Sequence, residues 1–133
     1  MTKNNDIGLL ILRITLAVLM LLHGVAKLQH GLGYIQGLLD SYGLPTFISY
    51  GVYVGEIIAP LAILAGYRTR LASAIYAFTC VVAILLAHNA KIFQLGDRGE
   101  WAVELLGLYL AGSITLFFTG AGKYALSSKN NWD

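Results

Sequence analysis

Ionisable side chains interrupt the long apolar stretches of the sequence, and their types and spacing suggest a polar ligand site. His23 and Lys27 stand near the end of the first stretch, His88 at the end of the third and Glu104 near the start of the fourth. A charge at mid-membrane costs roughly 2.5–3.5 kcal/mol on insertion scales, so such residues face a bundle interior and one another. Because these four share one depth, we expect imidazole and ammonium donors beside a carboxylate that can exchange protons.

Glu56 and Arg13 occupy a deeper layer. At about 1.5 Å per residue, Arg13 lies about a third of the way along the first stretch and Glu56 close to the middle of the second. Neither charge is tolerable alone at that depth, so we predict a structural ion pair between them. Glu56 is also a candidate for ligand binding, because Pro60 has no N–H for its carbonyl and Gly51 and Gly55 permit close approach of another helix.

Several of these residues have plainer structural explanations, which the sequence leaves open. A lysine at a helix end, such as Lys27, commonly extends its ammonium to the lipid headgroups. His23 fits an interhelical hydrogen-bond donor and His88 an ordinary interfacial residue. The polar cluster is therefore either a ligand site or a structural contact between helices.

Metal and cofactor motifs are weak in this sequence. Two histidines and a glutamate match a common zinc ligand set, but no two of them share one helix at ligand spacing, and Lys27 would repel a cation. Cys80 is the only cysteine, which excludes an intrachain disulfide and a cysteine cluster. We expect no metal, haem, flavin or nucleotide, so any electrons must come from a partner protein.

Four apolar stretches must position these residues. They cover residues 7–27, 46–66, 69–89 and 101–119, and about 20 apolar residues cross a bilayer. Only 12% of the 133 residues are charged, against roughly 25% in a soluble domain. We predict an all-α integral membrane protein, one domain over residues 1–133 built as a bundle of four transmembrane helices. The net charge of +2 offers no basic surface for nucleic acid.

The segment between the first two stretches carries a helical pattern of its own. Its apolar residues are Tyr34, Ile35, Leu38, Leu39 and Tyr42, a spacing that predicts a short helix lying in the membrane interface. With four spans, both termini share one side of the membrane, which holds the cations Lys3, Arg68, Arg70, Lys123 and Lys129. The other side has fewer, so the positive-inside rule predicts cytoplasmic termini. Assembly into a homo-oligomer is left open.

Several short motifs follow one another in the chain. They are Arg13, His23-Gly24-Val25-Ala26-Lys27, Gly43-Leu44-Pro45, Gly55-Glu56, Gly66-Tyr67-Arg68-Thr69-Arg70, Trp101-Ala102-Val103-Glu104 and Gly120-Ala121-Gly122-Lys123-Tyr124. By these motifs the chain resembles the DoxX family of small four-helix bacterial membrane proteins, sometimes grouped with the DoxD subunit of thiosulfate:quinone oxidoreductase. Family tails commonly continue into a Ser-Leu-Asp-like ending, whereas this one continues Ala125-Leu126-Ser127-Ser128, which leaves the role of the tail open.

The resemblance implies an inner-membrane protein that binds a quinone and works with a partner oxidoreductase. The residues are compatible: His23, Lys27 and His88 could donate to quinone oxygens, and Glu56 or Glu104 could exchange a proton. One alternative is a non-enzymatic membrane module that recruits a partner through the interfacial helix. A small solute transporter is disfavoured because the sequence shows no internal repeat. Whether the chain is itself an enzyme stays open.

Overall fold

The structure, a computed structural model, describes residues 2–133, and its regular elements within that range are all helical. The main helices are α1 (Asn5–His30), α2 (Gly33–Ser41), α3 (Thr46–Ala65), α4 (Thr69–Ala87) and α5 (Glu104–Thr119). A 3-10 turn, Asn89–Lys91, follows α4. The last residues, 120–133, form an irregular tail. The all-α prediction is therefore confirmed for the described residues.

Three of these helices are long and apolar enough to cross a membrane. The helices α1, α3 and α4 have 26, 20 and 19 residues, and an 18-residue stretch within each has a mean hydropathy of 2.3, 1.7 and 2.0, respectively. The fourth apolar helix, α5, has 16 residues, so it extends about 24 Å, less than the roughly 30 Å of a hydrocarbon core. It begins at Glu104 and not at Trp101, because Trp101 closes a turn by pairing with Leu95. Crossing by four helices stays a prediction.

Apolar side chains lie on the outside of the bundle as well as in its core. The core includes Leu16, Ile63 and Tyr76, and the Tyr76 hydroxyl donates to the carbonyl of Leu16 at 2.9 Å. On the outside, Leu22 and Leu108 are 63% and 68% exposed. Soluble proteins rarely expose continuous apolar surface on this scale, so lipid is the medium that this surface fits.

The segment between α1 and α3 contains the short helix that the sequence predicts there. This helix, α2, is preceded by Gly31 at φ 82° and followed by Gly43 at φ 72°. Glycine adopts these positive φ values without the steric cost that a side chain adds. The chain therefore turns back at both ends of α2. The placement of α2 in a membrane interface stays a prediction.

The tail folds back over the turn between α3 and α4. Arg68 Nη1 donates to Asp133 Oδ1 at 2.9 Å, and Arg70 Nη1 donates to the carbonyl of Asn131 at 2.8 Å. The Ser127 hydroxyl also donates to Asp133. This hydrogen bond, with further ones from the Asn130 N–H and from Arg68, holds the pKa of the Asp133 carboxyl well below its usual range. The motif residues Arg68 and Arg70 thus anchor a tail whose role the sequence left open.

Candidate functional site

Glu56 is positioned by an irregular turn inside α3. Residues Val54–Ile58 form a π-helical turn, in which the N–H of Ala59 donates to the carbonyl of Val54. Pro60 follows at once and has no N–H for the carbonyl of Glu56. Single π turns of this kind occur frequently at functional sites. The proline in the sequence predicts that the Glu56 carbonyl lacks its usual helical partner. The π turn could not be predicted, because no periodic pattern of residues indicates it.

Two glycines let neighbouring helices pack directly against this turn. A Cβ added to Gly24 on α1 would lie 2.6 Å from the carbonyl oxygen of Glu56, and one added to Gly55 would lie 1.8 Å from Thr79 Oγ1 on α4. Such close approach of backbones is how small residues act in membrane helix packing. Glu56 is consequently fixed between α1 and α4, and its side chain is only 9% exposed.

Lys27 neutralises the buried carboxylate of Glu56. Its Nζ lies 2.6 Å from Oε1 and 2.7 Å from Oε2, and its side chain is 29% exposed. Because α1 continues to His30, Lys27 lies about one turn inside the helix end. Its ammonium therefore points into the bundle. It does not extend toward the lipid headgroups, which was the alternative that the sequence left open.

The predicted ion pair between Arg13 and Glu56 is wrong. Arg13 is 1% exposed, and its Nε and Nη2 donate to the carbonyls of Ile63 and Leu64 at 2.9 and 3.0 Å. These carbonyls belong to the last turn of α3, where helical N–H partners run out, and the Ile63 carbonyl also accepts from the N–H of Gly66 at 3.2 Å. About two helical turns, roughly 10 Å, separate Ile63 from Glu56 along α3.

The remaining donor of Arg13 reaches the tail. Its Nη1 donates to the carbonyls of Ala121, at 3.2 Å, and Tyr124. All four hydrogen bonds of this buried guanidinium therefore go to neutral carbonyls, two of which lie at the negative end of a helix dipole. Depth along a span, the basis of the predicted pair, cannot reveal backbone partners of this kind.

A cavity of about 930 Å³ opens beside the Lys27–Glu56 pair. Its polar lining includes His23, Lys27, Glu56, His88 and Tyr109. The rest is mostly apolar and comes from every helix of the bundle, including Tyr34, Ile35 and Leu38 of α2. The volume falls in the usual range of 300–1,000 Å³ for small-molecule sites, which combine apolar walls with a few polar groups.

Four of the five residues predicted for ligand binding line this cavity, and Glu104 lies outside it. Glu104 is exposed at the first residue of α5. It shares a helix face with Leu108, which is 68% exposed, and that face points away from the bundle. The sequence places Glu104 at the correct end of α5 but on the wrong side.

Tyr109 is a cavity residue that the sequence analysis missed. Its ring meets that of His23 edge-on, with centroids 6.2 Å apart and planes at 86°, and it meets Tyr76 in the same way at 6.2 Å. One tyrosine on an apolar helix does not differ from its neighbours in sequence, so no signal could have found it. It fixes the orientation of the His23 ring on one side.

Together, the helices and the cavity define a class of protein: a small, all-helical membrane protein with a buried ion pair beside an apolar cavity. The model of the DoxX family matches residues 8–89, and the chain belongs to this family. The matched region covers α2, α3, α4 and nearly all of α1, so it contains Lys27, Glu56 and both cavity histidines.

Two curated relatives extend beyond that region. The chain is 30% identical over 111 residues to "Putative oxidoreductase CatD" of Bacillus subtilis (strain 168), covering 84% of this chain and 82% of the relative. It is 31% identical over 127 residues to "Inner membrane protein YqjF" of Escherichia coli (strain K12), covering 95% and 94%. No solved structure matches the chain.

Proposed function

We propose that this DoxX-family protein binds a quinone in the cavity and serves a partner oxidoreductase in the bacterial inner membrane. The observation that carries the proposal is the Lys27–Glu56 pair at the wall of a mostly apolar cavity of about 930 Å³. A buried charge in a membrane span is a functional-site hypothesis by default. The name of the Bacillus subtilis relative includes the word oxidoreductase, which supports a redox role.

The lining of the cavity fits the two parts of a quinone. Its ring oxygens require hydrogen-bond donors, and its isoprenoid tail requires an apolar surface. The Lys27 ammonium has three protons, of which two are directed at Glu56, so one remains for a ligand. Glu56 can exchange a proton with the site when the quinone changes its oxidation state. The quinone itself supplies the redox chemistry.

Electrons must reach this site from another protein. Cys80 is the only cysteine in the sequence, so the chain cannot hold an iron–sulfur cluster by itself. It also lacks a nucleotide-binding glycine loop in a strand–helix context. The proposal therefore assigns electron supply to a partner subunit.

The proposed membrane topology has four spans, with α5 as the fourth and both termini in the cytoplasm. Trp101, Ala102 and Val103 precede α5 and extend its apolar length, and the cations Arg68 and Arg70 lie on the tail side of the bundle. In this arrangement the cavity faces the periplasmic half of the membrane, and α2 lies in the outer interface. Two separate fusions at residue 133, one to a fluorescent protein and one to alkaline phosphatase, test this topology. A fluorescent first fusion and an inactive phosphatase in the second support it, and the opposite results contradict it.

Thermal unfolding of the purified protein with a short-chain benzoquinone tests the ligand. At 100 times the Kd, ligand binding should add about 2.7 kcal/mol to the free energy of unfolding. We expect stabilisation of the wild type and of Glu104→Gln, whose altered side chain lies outside the cavity, and none of Lys27→Met. Absence of stabilisation in the wild type would contradict the proposal and favour the non-enzymatic membrane module, in which the ion pair is structural.

A further inference from the structure

His23 has one ring nitrogen whose role is fixed by the backbone. Its Nδ1 lies 2.9 Å from the carbonyl oxygen of Leu19, one turn earlier on α1. A carbonyl oxygen only accepts hydrogen bonds, so Nδ1 must carry a proton. In the neutral imidazole the other nitrogen, Nε2, then has a lone pair and no proton. In its neutral form His23 is therefore an acceptor at Nε2, in contrast to the donor role that we expected from the sequence.

His23 lies at the wall of the cavity, close to Lys27 on the same helix. The residue lines the cavity, and its ring is held against the edge or face of Tyr109 at 6.2 Å between centroids. Lys27, the cation on the same face of α1 one turn further on, is engaged by both oxygens of Glu56. The cavity thus presents an acceptor from His23 and a donor from Lys27.

From this pair of roles we infer that the cavity selects the hydroxyl-bearing, reduced form of its aromatic ligand, a hydroquinone, over the oxidised quinone. A hydroquinone hydroxyl donates to Nε2 of His23, and its second oxygen accepts from Lys27. The oxygens of a quinone only accept, so one of them would bring its lone pairs against the lone pair of Nε2. This inference rests on the proposed function, and it adds the oxidation state that the site prefers.

The test compares three probes on the purified full chain in nanodiscs, without oxygen, in mildly alkaline buffer. They are a short-chain benzoquinone, the corresponding hydroquinone and the dimethyl ether of that hydroquinone, which has no hydroxyl proton. An acceptor that a bound ligand covers without a hydrogen bond costs roughly 1–3 kcal/mol. The wild type should therefore bind the hydroquinone about tenfold more tightly than the ether or the quinone.

Two variants show whether His23 causes the preference. His23→Phe keeps an aromatic ring against Tyr109 and removes the acceptor, so the ratio of the Kd values for ether and hydroquinone should fall to about one. Glu104→Gln, changed outside the cavity, should keep the wild-type ratio. The unfolding curve shows whether His23→Phe folds. If it does not, His23→Gln is used in its place. The amide oxygen of this glutamine can accept a hydrogen bond, so the variant should retain part of the preference for the hydroquinone.

The outcomes separate this inference from the proposed function. If the wild type binds none of the probes, the proposed function fails and the inference falls with it. If it binds all three equally, or prefers the quinone, the inference alone is overturned. A preference for the hydroquinone that persists in His23→Phe also overturns it, because the added methyl groups of the ether, and not His23, would then account for the difference.

Discussion

Two cations on the same helix, the buried Arg13 and the partly buried Lys27, have different kinds of partner at the two ends of the bundle. At the closed end of the bundle, Arg13 is 1% exposed and donates to four neutral backbone carbonyls in α3 and the tail. Lys27 pairs with one carboxylate, Glu56, beside a cavity of about 930 Å³. The comparison shows that a buried charge by itself does not mark a site. What distinguishes the Lys27 end is an ionisable partner and open space.

The strongest test of this difference is Arg13→Met. The substitution leaves four carbonyls without their donor, two of them at the end of α3. Removing the donor from a buried carbonyl costs about 1–3 kcal/mol, and several carbonyls lose their donor together here, so the total should be about 3–5 kcal/mol. We expect a loss of stability of this size in thermal unfolding in detergent, together with faster proteolysis of the tail.

Arg98→Met, in the exposed loop before α5, serves as the matched control and should leave stability unchanged. The protein that remains folded in Arg13→Met should keep its affinity for the cavity ligand. An Arg13→Met protein as stable as the wild type would show that the carbonyl contacts contribute nothing, and the contrast between the two ends would collapse.

At the other end, stability and ligand binding should respond differently to the loss of the ion pair. Lys27→Met leaves the buried Glu56 carboxylate unpaired and should cost about 2–3 kcal/mol, somewhat less than Arg13→Met because Lys27 is 29% exposed. The double variant Lys27→Met with Glu56→Leu should regain most of the stability, since replacing both partners by apolar groups of similar size is nearly neutral. It should not regain ligand binding.

Lys91→Met, an exposed lysine beyond α4, controls for the loss of a positive charge. Stability and binding are measured on the same samples, by thermal unfolding with and without the short-chain benzoquinone. Ligand binding by the double variant would mean that the pair is only a structural contact, equivalent in kind to the one at Arg13.

The sequence predicts the spans more accurately than the partners of the charges. The predicted second and third stretches, 46–66 and 69–89, correspond to helices at Thr46–Ala65 and Thr69–Ala87, because hydropathy and glycine positions limit a helix locally. The partners of Arg13 are carbonyls, which every residue has, so composition cannot identify them. The outward direction of Glu104 follows from where α5 begins, and a turn held by Trp101 decides that.

Close helix packing around Glu56 is a second difference between the two ends of the bundle. Disturbing it should reduce stability by less than the loss of the ion pair does. In Gly24→Ala the new methyl group would lie 2.6 Å from the carbonyl oxygen of Glu56, so α1 or the π turn must move. Overpacking of this kind costs typically 1–3 kcal/mol, and we expect about 1–2 kcal/mol from thermal unfolding, together with weaker ligand binding.

Gly37→Ala on α2 is the matched control, because nothing lies within 4 Å of its added Cβ. This helical position should gain about 0.5–1 kcal/mol, since alanine favours a helix over glycine. Equal effects of the two substitutions would show that the contact between Gly24 and Glu56 is not tight, and the fixed position of Glu56 would lose its support.

The smallest effect concerns the closed end alone and depends on pH. The pKa of Asp133 in the folded chain lies below its unfolded value, mainly through the hydroxyl of Ser127 and also through Asn130 and Arg68. Its contribution to stability is therefore fully present above the unfolded pKa of about 3.9 and is lost as the pH falls toward the folded value. Proteolysis of residues 120–133 by an acid-stable protease should accelerate below about pH 4 in the wild type.

Asp133→Asn should show the faster cleavage at every pH, because its amide no longer attracts the Arg68 guanidinium as a carboxylate does. Ligand affinity, measured at neutral pH, should be the same in both proteins, since the tail and the cavity lie at opposite ends of the bundle. A change of ligand affinity in Asp133→Asn would show instead that the closed end and the open end are coupled through α1, the helix that carries both Arg13 and Lys27.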